Sequence, residues 1–244
     1  MPSVSEHYRK LEPEQVEVMA SVYADAWQHP EIPERQYAAC VQKELEDYRL
    51  FKPNAPFDAL GILFNRIPEL NKAETRLLDV GASSGYYKEV LGLLNFACQY
   101  VAVDYSVYFQ GFAQTTFPGI QFHLGSATEL PFEDKSFDVI LHGACIMHLQ
   151  EYEKAIEEAA RVAKEYVIFH RTPIFLDDTP TQVFVKTAYG VPCVEFHFNE
   201  IDLLHLFSKY SLGIVTSTDV FTTGHFAHRS YLLKVDADKQ WERA

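Results

Sequence analysis

The sequence predicts an α/β protein: a doubly wound, mostly parallel seven-stranded sheet with an antiparallel last strand, plus N-terminal helices and a lid-like insert. From Arg76 onward, short apolar runs alternate with stretches of helical spacing, the pattern of a parallel sheet covered on both faces. The last two apolar runs are joined by only TTGHFA, too short for a parallel crossover, so they pair antiparallel. In LLDVGASSGYY an apolar run ends in Asp79 and passes into a small-residue turn, where open sheets of this kind hold ligands.

Residues 1–70 are expected as a helical cap region. PEQVEVMASVYADAW and ERQYAACVQKELEDYRLF mix polar and apolar positions at helical spacing, and Pro13, Pro33 and Pro56 fit first-turn or breaker positions. Residues 71–244 are expected as the sheet domain. Its first five strands are RLLDV, QYVAV, IQFHL, FDVIL and YVIFH, with the helical stretches YYKEVLGLLN, SVYFQGFAQTTF and QEYEKAIEEAARVAK among them. Residues 172–198 then break the alternation as a less regular insert rich in aromatic and apolar side chains. The helix NEIDLLHLFSKY and the strands GIVTSTDVF and HRSYLLKV close the pattern.

Composition excludes several function classes. The chain has 244 residues and 48% hydrophobic content, enough for one large domain or a domain with a lid. Lys and Arg total 21 against 34 Asp and Glu, for a formal net charge of −13. Nucleic-acid binders neutralise phosphates with clustered Lys and Arg, so no nucleic-acid partner is expected. Cys40, Cys98, Cys145 and Cys193 are widely spaced, which predicts reduced, buried thiols in a cytoplasmic protein, without a disulfide frame or zinc site. The polar start MPSVSEHYRKLEPEQ predicts no signal peptide, and no apolar run is long enough to span a bilayer.

The turn after Asp79 fails the dinucleotide fingerprint, which places three glycines at G-x-G-x-x-G. Counting from Gly81, Ser83 and Tyr86 occupy the second and third glycine positions, and Tyr86 would obstruct close helix–strand packing. Taken together, Asp79-Val-Gly81-Ala-Ser-Ser-Gly85, the strand-end acid of VAVDYS and GSATELPFEDKSFDVI resemble the class I S-adenosylmethionine-dependent methyltransferases. The resemblance runs from Arg76 to about His170 and agrees with the seven-strand ending. It implies S-adenosylmethionine as cofactor and a Rossmann-like domain. Asp79 would hold the methionine amino group through water. Gly81, Ala82, Ser83 and Gly85 would form the turn along the methionyl portion, Asp104 would chelate the ribose, and Tyr105 would lie against the adenine. Ser126 and Ala127 would face the adenine edge. Family members commonly carry Gly at the position of Ser83 and an acid at that of Ser126. Asp79 or Asp104 alone also fits an ordinary helix N-cap, and Tyr86 and Tyr87 fit packing residues at a helix start.

A sulfonium is an activated methyl donor, so alignment and water exclusion matter most, and a base only where the acceptor must lose a proton. FDVILHGACIMHL puts His142 at the end of the fourth strand, beside the first, with His148 in the following helix. YVIFHRTP puts His170 and Arg171 at the end of the fifth. His142 and His170 are therefore the candidate catalytic residues, with His142 preferred, although each alone also fits a structural hydrogen-bonder. Tyr86 and Arg171 are the candidate substrate contacts, Arg171 suiting an acidic or phosphorylated acceptor. Neither EFHFNE nor GHFAHR has a metal-ligand spacing, so no metal is expected. The Asn-Pro-Pro-Tyr run of planar-amine methylation is absent, and the Pro-Cys of GVPCVEF lies outside the fourth-strand loop. A small-molecule acceptor with an oxygen or nitrogen nucleophile is the expected partner. Oligomeric state is left open. The alternatives are a noncatalytic S-adenosylmethionine-binding protein and a nicotinamide oxidoreductase.

Overall fold

Apolar runs at period two and helices at period 3.6 build the architecture of the protein, seen here in a computed structural model that describes residues 5–236. Residues 1–4 and 237–244, the outer ends of the two expected units, lie outside the described residues. The seven expected strands all form: β2 (Arg76–Val80), β3 (Gln99–Asp104), β4 (Gln121–Leu124), β5 (Phe137–Gly143), β6 (Ala163–Phe175), β9 (Leu212–Thr223) and β10 (Phe226–Val235). Their spatial order is β4-β3-β2-β5-β6-β10-β9. The pairs among the first five are parallel, and β10 runs antiparallel to both β6 and β9.

Helices cover both faces, as the alternation requires. On one face β2, β5 and β6 bury Val80, Ile140, Val167 and Phe169 against α7 (Tyr152–Val162) and α8 (Glu200–Lys209). On the other, Leu77, Leu141 and Ile168 pack against α4 (Ala55–Phe64), α5 (Tyr87–Leu93) and α6 (Val107–Thr116). In α7 the apolar Ala155, Ile156, Ala159 and Ala160 face inward, while Arg161 reaches Glu158, Asp134 and the Leu130 and Phe132 carbonyls, fixing the loop after β4.

Two expectations are corrected. The segment 172–198 is not irregular: β6 continues to Phe175, and β7 (Gln182–Ala188) and β8 (Val191–Asn199) form a hairpin. It is closed by Tyr189 (φ 50°) and Gly190 (φ 84°), the positive-φ pair that a two-residue hairpin turn needs. The alternating, aromatic-rich sequence had the strand signature, but the hairpin lies beyond the regular strand–helix alternation. The N-terminal region is likewise not wholly helical, because β1 (Ser5–Lys10) adds antiparallel to β7. These three strands make the sheet ten-stranded where seven strands were expected, joining it where β8 pairs with the end of β6 at Ile174–Phe198 and Phe175–Asn199 and taking over the edge that β5 leaves at Gly143. Of the thiols, all four free, only Cys193 is fully buried.

The remaining cap elements are α1 (Pro13–Val22), a 3-10 turn at Ala26–Gln28, and α2 (Ile32–Gln36) running through a π turn (Tyr37–Val41) into α3 (Gln42–Arg49). Pro13 opens α1, and Pro33 and Pro56 sit in the first turns of α2 and α4, where a missing N–H costs nothing.

Candidate cofactor and acceptor site

The side-chain pleat places Asp79 and Asp104 on one face of adjacent strands, in line with Leu77 and with Tyr100 and Ala102. Asp79 is fully buried. Its Oδ2 accepts a 2.5 Å hydrogen bond from the Tyr100 hydroxyl, while Oδ1 has no partner among the described residues. Burial pushes its pKa up to about 8. Asp104 accepts the Ser83 N–H at 2.9 Å and the Ser106 N–H at 3.0 Å, and burial raises it to about 6 against those bonds. Neither acid is a helix N-cap. Ser106 caps α6 through the Phe109 N–H at 3.4 Å.

Between the acids the chain turns tightly. Gly81 (φ 67°) lies so close to Cys145 that a Cβ would stand 2.4 Å from its Sγ, and a Cβ on Gly85 (φ 74°) would stand 2.4 Å from Ile120. The Gly81 and Ala82 N–H groups both bond the Val103 carbonyl, locking the turn to β3. Ser83 takes φ 48°, a left-handed conformation at a position where the family resemblance commonly puts Gly. Ser126 is exposed, and its Oγ lies 2.8 Å from Thr128 Oγ1. Ala127 beside it is partly buried.

These residues fit the implied cofactor. The orphaned Oδ1 of Asp79 is an acceptor waiting for a donor, and a bound ammonium would favour the charged form that burial alone opposes. A carboxylate has about four lone-pair sites, so Asp104 retains acceptor capacity for a ribose hydroxyl beyond the backbone donors of Ser83, Ser106 and Tyr105.

Tyr105 ties the cap down instead of standing clear. Its hydroxyl accepts the Trp27 N–H and donates to the Ala24 carbonyl, both at 3.2 Å, and its own carbonyl accepts from Gln28 Nε2 at 2.7 Å. Trp27 packs edge-on to His148 at 5.0 Å and to Tyr189 at 6.2 Å. Arg35 Nη1 donates to the Tyr189 carbonyl, and Cys40 Sγ lies 3.4 Å from the Tyr189 hydroxyl. The cap and the β7–β8 turn thus meet above the carboxyl ends of the strands. Sequence reasoning missed Trp27, and held Tyr189 only as one of the aromatic side chains of the lid-like insert. Tyr189-Gly190 carried a hairpin-turn signal, whereas nothing local marked Trp27.

The two histidines fall on opposite faces. His142 pairs in register with Val80, beside the end of β2 as expected, but faces the α7 side against Phe169, ring centroids 5.1 Å apart. It is 1% exposed, neither ring nitrogen has a partner among the described residues, and burial lowers its pKa to about 3. His170 shares the face of the two acids, edge-on to Tyr87 at 5.9 Å. Its Nδ1 lies 2.9 Å from Ser230 Oγ, its Nε2 has no partner among the described residues, and burial with the neighbouring Arg171 charge holds it well below the usual histidine range.

His170 and Arg171 together oppose the single residue Ser230 of β10, because the register slips between Arg229 and Tyr231. That bulge holds Arg171 at φ 62° and turns both side chains toward Tyr86 and Tyr87. The Arg171 guanidinium lies in electrostatic range of the Tyr86, Tyr87 and Tyr189 hydroxyls and of Glu44. Tyr86 stacks on Tyr87 at 4.3 Å, and the Tyr87 ring covers Gly143. A small cavity lined by Gly61, Asn65, Asn71 and Leu94 lies at the opposite, amino end of the strands and holds none of these groups. Among the described residues no cluster of three or more His, Cys, Asp or Glu could hold a metal, and no helix is long and apolar enough to cross a membrane.

The family described as Methyltransferase domain matches residues 78–169. An uncharacterized methyltransferase of Bacillus subtilis, YcgJ, is 32% identical over 128 residues, covering 50% of this chain and 49% of that protein. A probable S-adenosylmethionine-dependent methyltransferase of Mycobacterium tuberculosis is 25% identical over 126 residues, 52% of this chain and 43% of the other. The chain thus spans about half the length of these curated relatives or less. Among solved structures, a Burkholderia thailandensis 1,6-didemethyltoxoflavin-N1-methyltransferase, bound to 1,6-didemethyltoxoflavin and S-adenosylhomocysteine, shares the fold. Its TM-score is 0.59 at 16% identity, over 95% of this chain and 99% of that one.

Proposed function

We propose that this chain, whose residues 78–169 are a methyltransferase domain of the class I S-adenosylmethionine-dependent kind, transfers a methyl group to an oxygen or nitrogen of a small molecule. The observation that carries the reading is the buried pair Asp79 and Asp104, on one face of adjacent strands, flanking a turn that only near-naked backbone can make. Asp79 would meet the amino group, Asp104 the ribose hydroxyls, and Gly81, Ala82, Ser83 and Gly85 the methionyl portion. Tyr105, Ser126 and Ala127 would border the adenine. Bound there, S-adenosylmethionine supplies a methyl group already activated on a sulfonium.

The chain's own residues then orient the acceptor and exclude water. The cap and the β7–β8 turn serve as the roof of the acceptor chamber through Trp27 and Tyr189. Tyr86 and Arg171 contact the acceptor from below. Of the two candidate catalytic histidines, His170 shares the face of the acids and the chamber, so it is the better placed to touch the acceptor. His142 remains a neutral imidazole on the far face of β5.

Incubation with methyl-labelled S-adenosylmethionine and a panel of small-molecule acceptors tests the reading by label transfer to one of them. Saturable cofactor binding with no transfer across the panel would favour a noncatalytic binder. Binding of nicotinamide nucleotides in its place would favour an oxidoreductase.

A further inference from the structure

Hydrogen-bond donors without acceptors among the described residues gather where the β6 bulge, the start of α5, the π turn and the tip of the β7–β8 hairpin meet. No hydrogen bond or ion pair engages the Arg171 guanidinium among the described residues, although it is only partly exposed. The Tyr87 hydroxyl is buried and lacks a well-aligned partner among the described residues, and Arg171, the Tyr86 hydroxyl, Asp79 and Glu44 all act on it electrostatically. Ser230 Oγ accepts the Arg171 backbone N–H at 3.2 Å and reaches His170 Nδ1 at 2.9 Å, so its single proton is best used on Nδ1. That assignment leaves the ring proton on Nε2, buried and unpartnered.

Two of the left-handed non-glycine residues border the same place, Arg171 (φ 62°) at the bulge and Tyr189 (φ 50°) in the hairpin turn, and the helix that faces them passes through the π turn at Tyr37–Val41. Such conformations are unfavourable and persist where the surrounding structure enforces them, commonly at ligand sites. A glycine would hold the Arg171 position without strain, yet an arginine stands there.

We infer that the acceptor carries an oxyanion, of carboxylate or phosphate type, seated on the Arg171 guanidinium with the His170 Nε2–H and the Tyr87 hydroxyl as further donors. A guanidinium, an imidazole N–H and a phenol O–H together supply the donors that an oxyanion needs, and the planar guanidinium fork can take two of its oxygens at once. Glu44 is the carboxyl group that interacts electrostatically with Arg171 among the described residues. Burial pushes its pKa up, and it forms no ion pair with the arginine, so the seat is not already filled by a protein carboxylate. The identification of this anion as part of a methyl acceptor rests on the function proposed above; the anion seat itself does not.

Protein NMR titrations with acetate, benzoate, inorganic phosphate and phenyl phosphate, against the neutral acetamide and benzamide, test the seat with and without S-adenosylhomocysteine. At least one anion is expected to bind while its neutral counterpart does not, and the carboxylate and phosphate arms tell the two sources apart. Arg171→Gly relieves the backbone, so the variant is expected to keep or raise its thermal midpoint and yet bind the anion roughly tenfold or more weakly. Arg171→Lys, which keeps the charge without the fork, should fall between. Equal binding of neutral probes, no binding by any anion, or undiminished anion affinity in Arg171→Gly would overturn the inference. Failure of S-adenosylhomocysteine to bind would instead count against the methyltransferase reading and leave the cofactor-free anion titration standing.

Discussion

The Ser230 hydroxyl bridges the two halves of the β6 bulge, lying 2.9 Å from His170 Nδ1 and accepting the Arg171 N–H at 3.2 Å. Ser230 is fully buried, so in Ser230→Ala both groups would be stranded away from water. The expected cost is about 1–3 kcal/mol of stability, read from urea unfolding. A change within a few tenths of a kcal/mol would mean that the bulge does not depend on this bridge.

Asp79 gives the cofactor-free protein a pH signature. Its folded pKa of about 8 exceeds the unfolded value of 3.8, so the native state holds the extra proton between those limits. The contribution is fully present below about 3.8 and is lost as pH rises toward 8. Asp79→Asn should therefore be relatively more stable than the parent at pH 8 than at pH 5 while binding cofactor more weakly. Chemical unfolding at both pH values checks this, and parallel pH dependence in parent and variant would contradict it.

The two histidines should separate kinetically. His170→Ala, on the chamber side, is expected to lower turnover roughly a hundredfold with cofactor affinity nearly intact. His142→Ala should chiefly lower the thermal midpoint, because it empties a packed site against Phe169. The reverse pattern, once an acceptor is identified, would return the chemistry to His142.

How much could be read beforehand follows from range. Asp79, Gly81, Gly85 and Asp104 were legible because each sits at a strand end or turn that the local pattern fixes, and the seven expected strands of the ten lay where the apolar runs put them. Gln182–Asn199 was less legible: its hairpin lies past the alternation, and its pairing with Ser5–Lys10 joins residues far apart in sequence. The preference between His142 and His170 turned on one residue of pleat, which shifts a side chain to the other face. The bulge that aims Arg171 depends on a register slip in β10 that no local pattern encodes.

The roof should tighten when the cofactor site fills. Residues 24–41 and 182–199 meet through Arg35, Trp27 and Tyr189 above the strand ends, and Tyr105 links the first of them to the end of β3. Hydrogen exchange is expected to slow in both segments on adding S-adenosylhomocysteine. Equal exchange with and without it would argue that the roof is static.

Calorimetric titration of S-adenosylhomocysteine into the parent protein and Asp104→Ala is the most direct test of the central claim, that the paired acids around the Gly81–Gly85 turn hold the cofactor. The account predicts saturable binding to the parent and a loss of about 1.5–3 kcal/mol in the variant, roughly tenfold to a hundredfold in affinity. No binding to the parent, or an unchanged affinity in a folded Asp104→Ala protein, would contradict it.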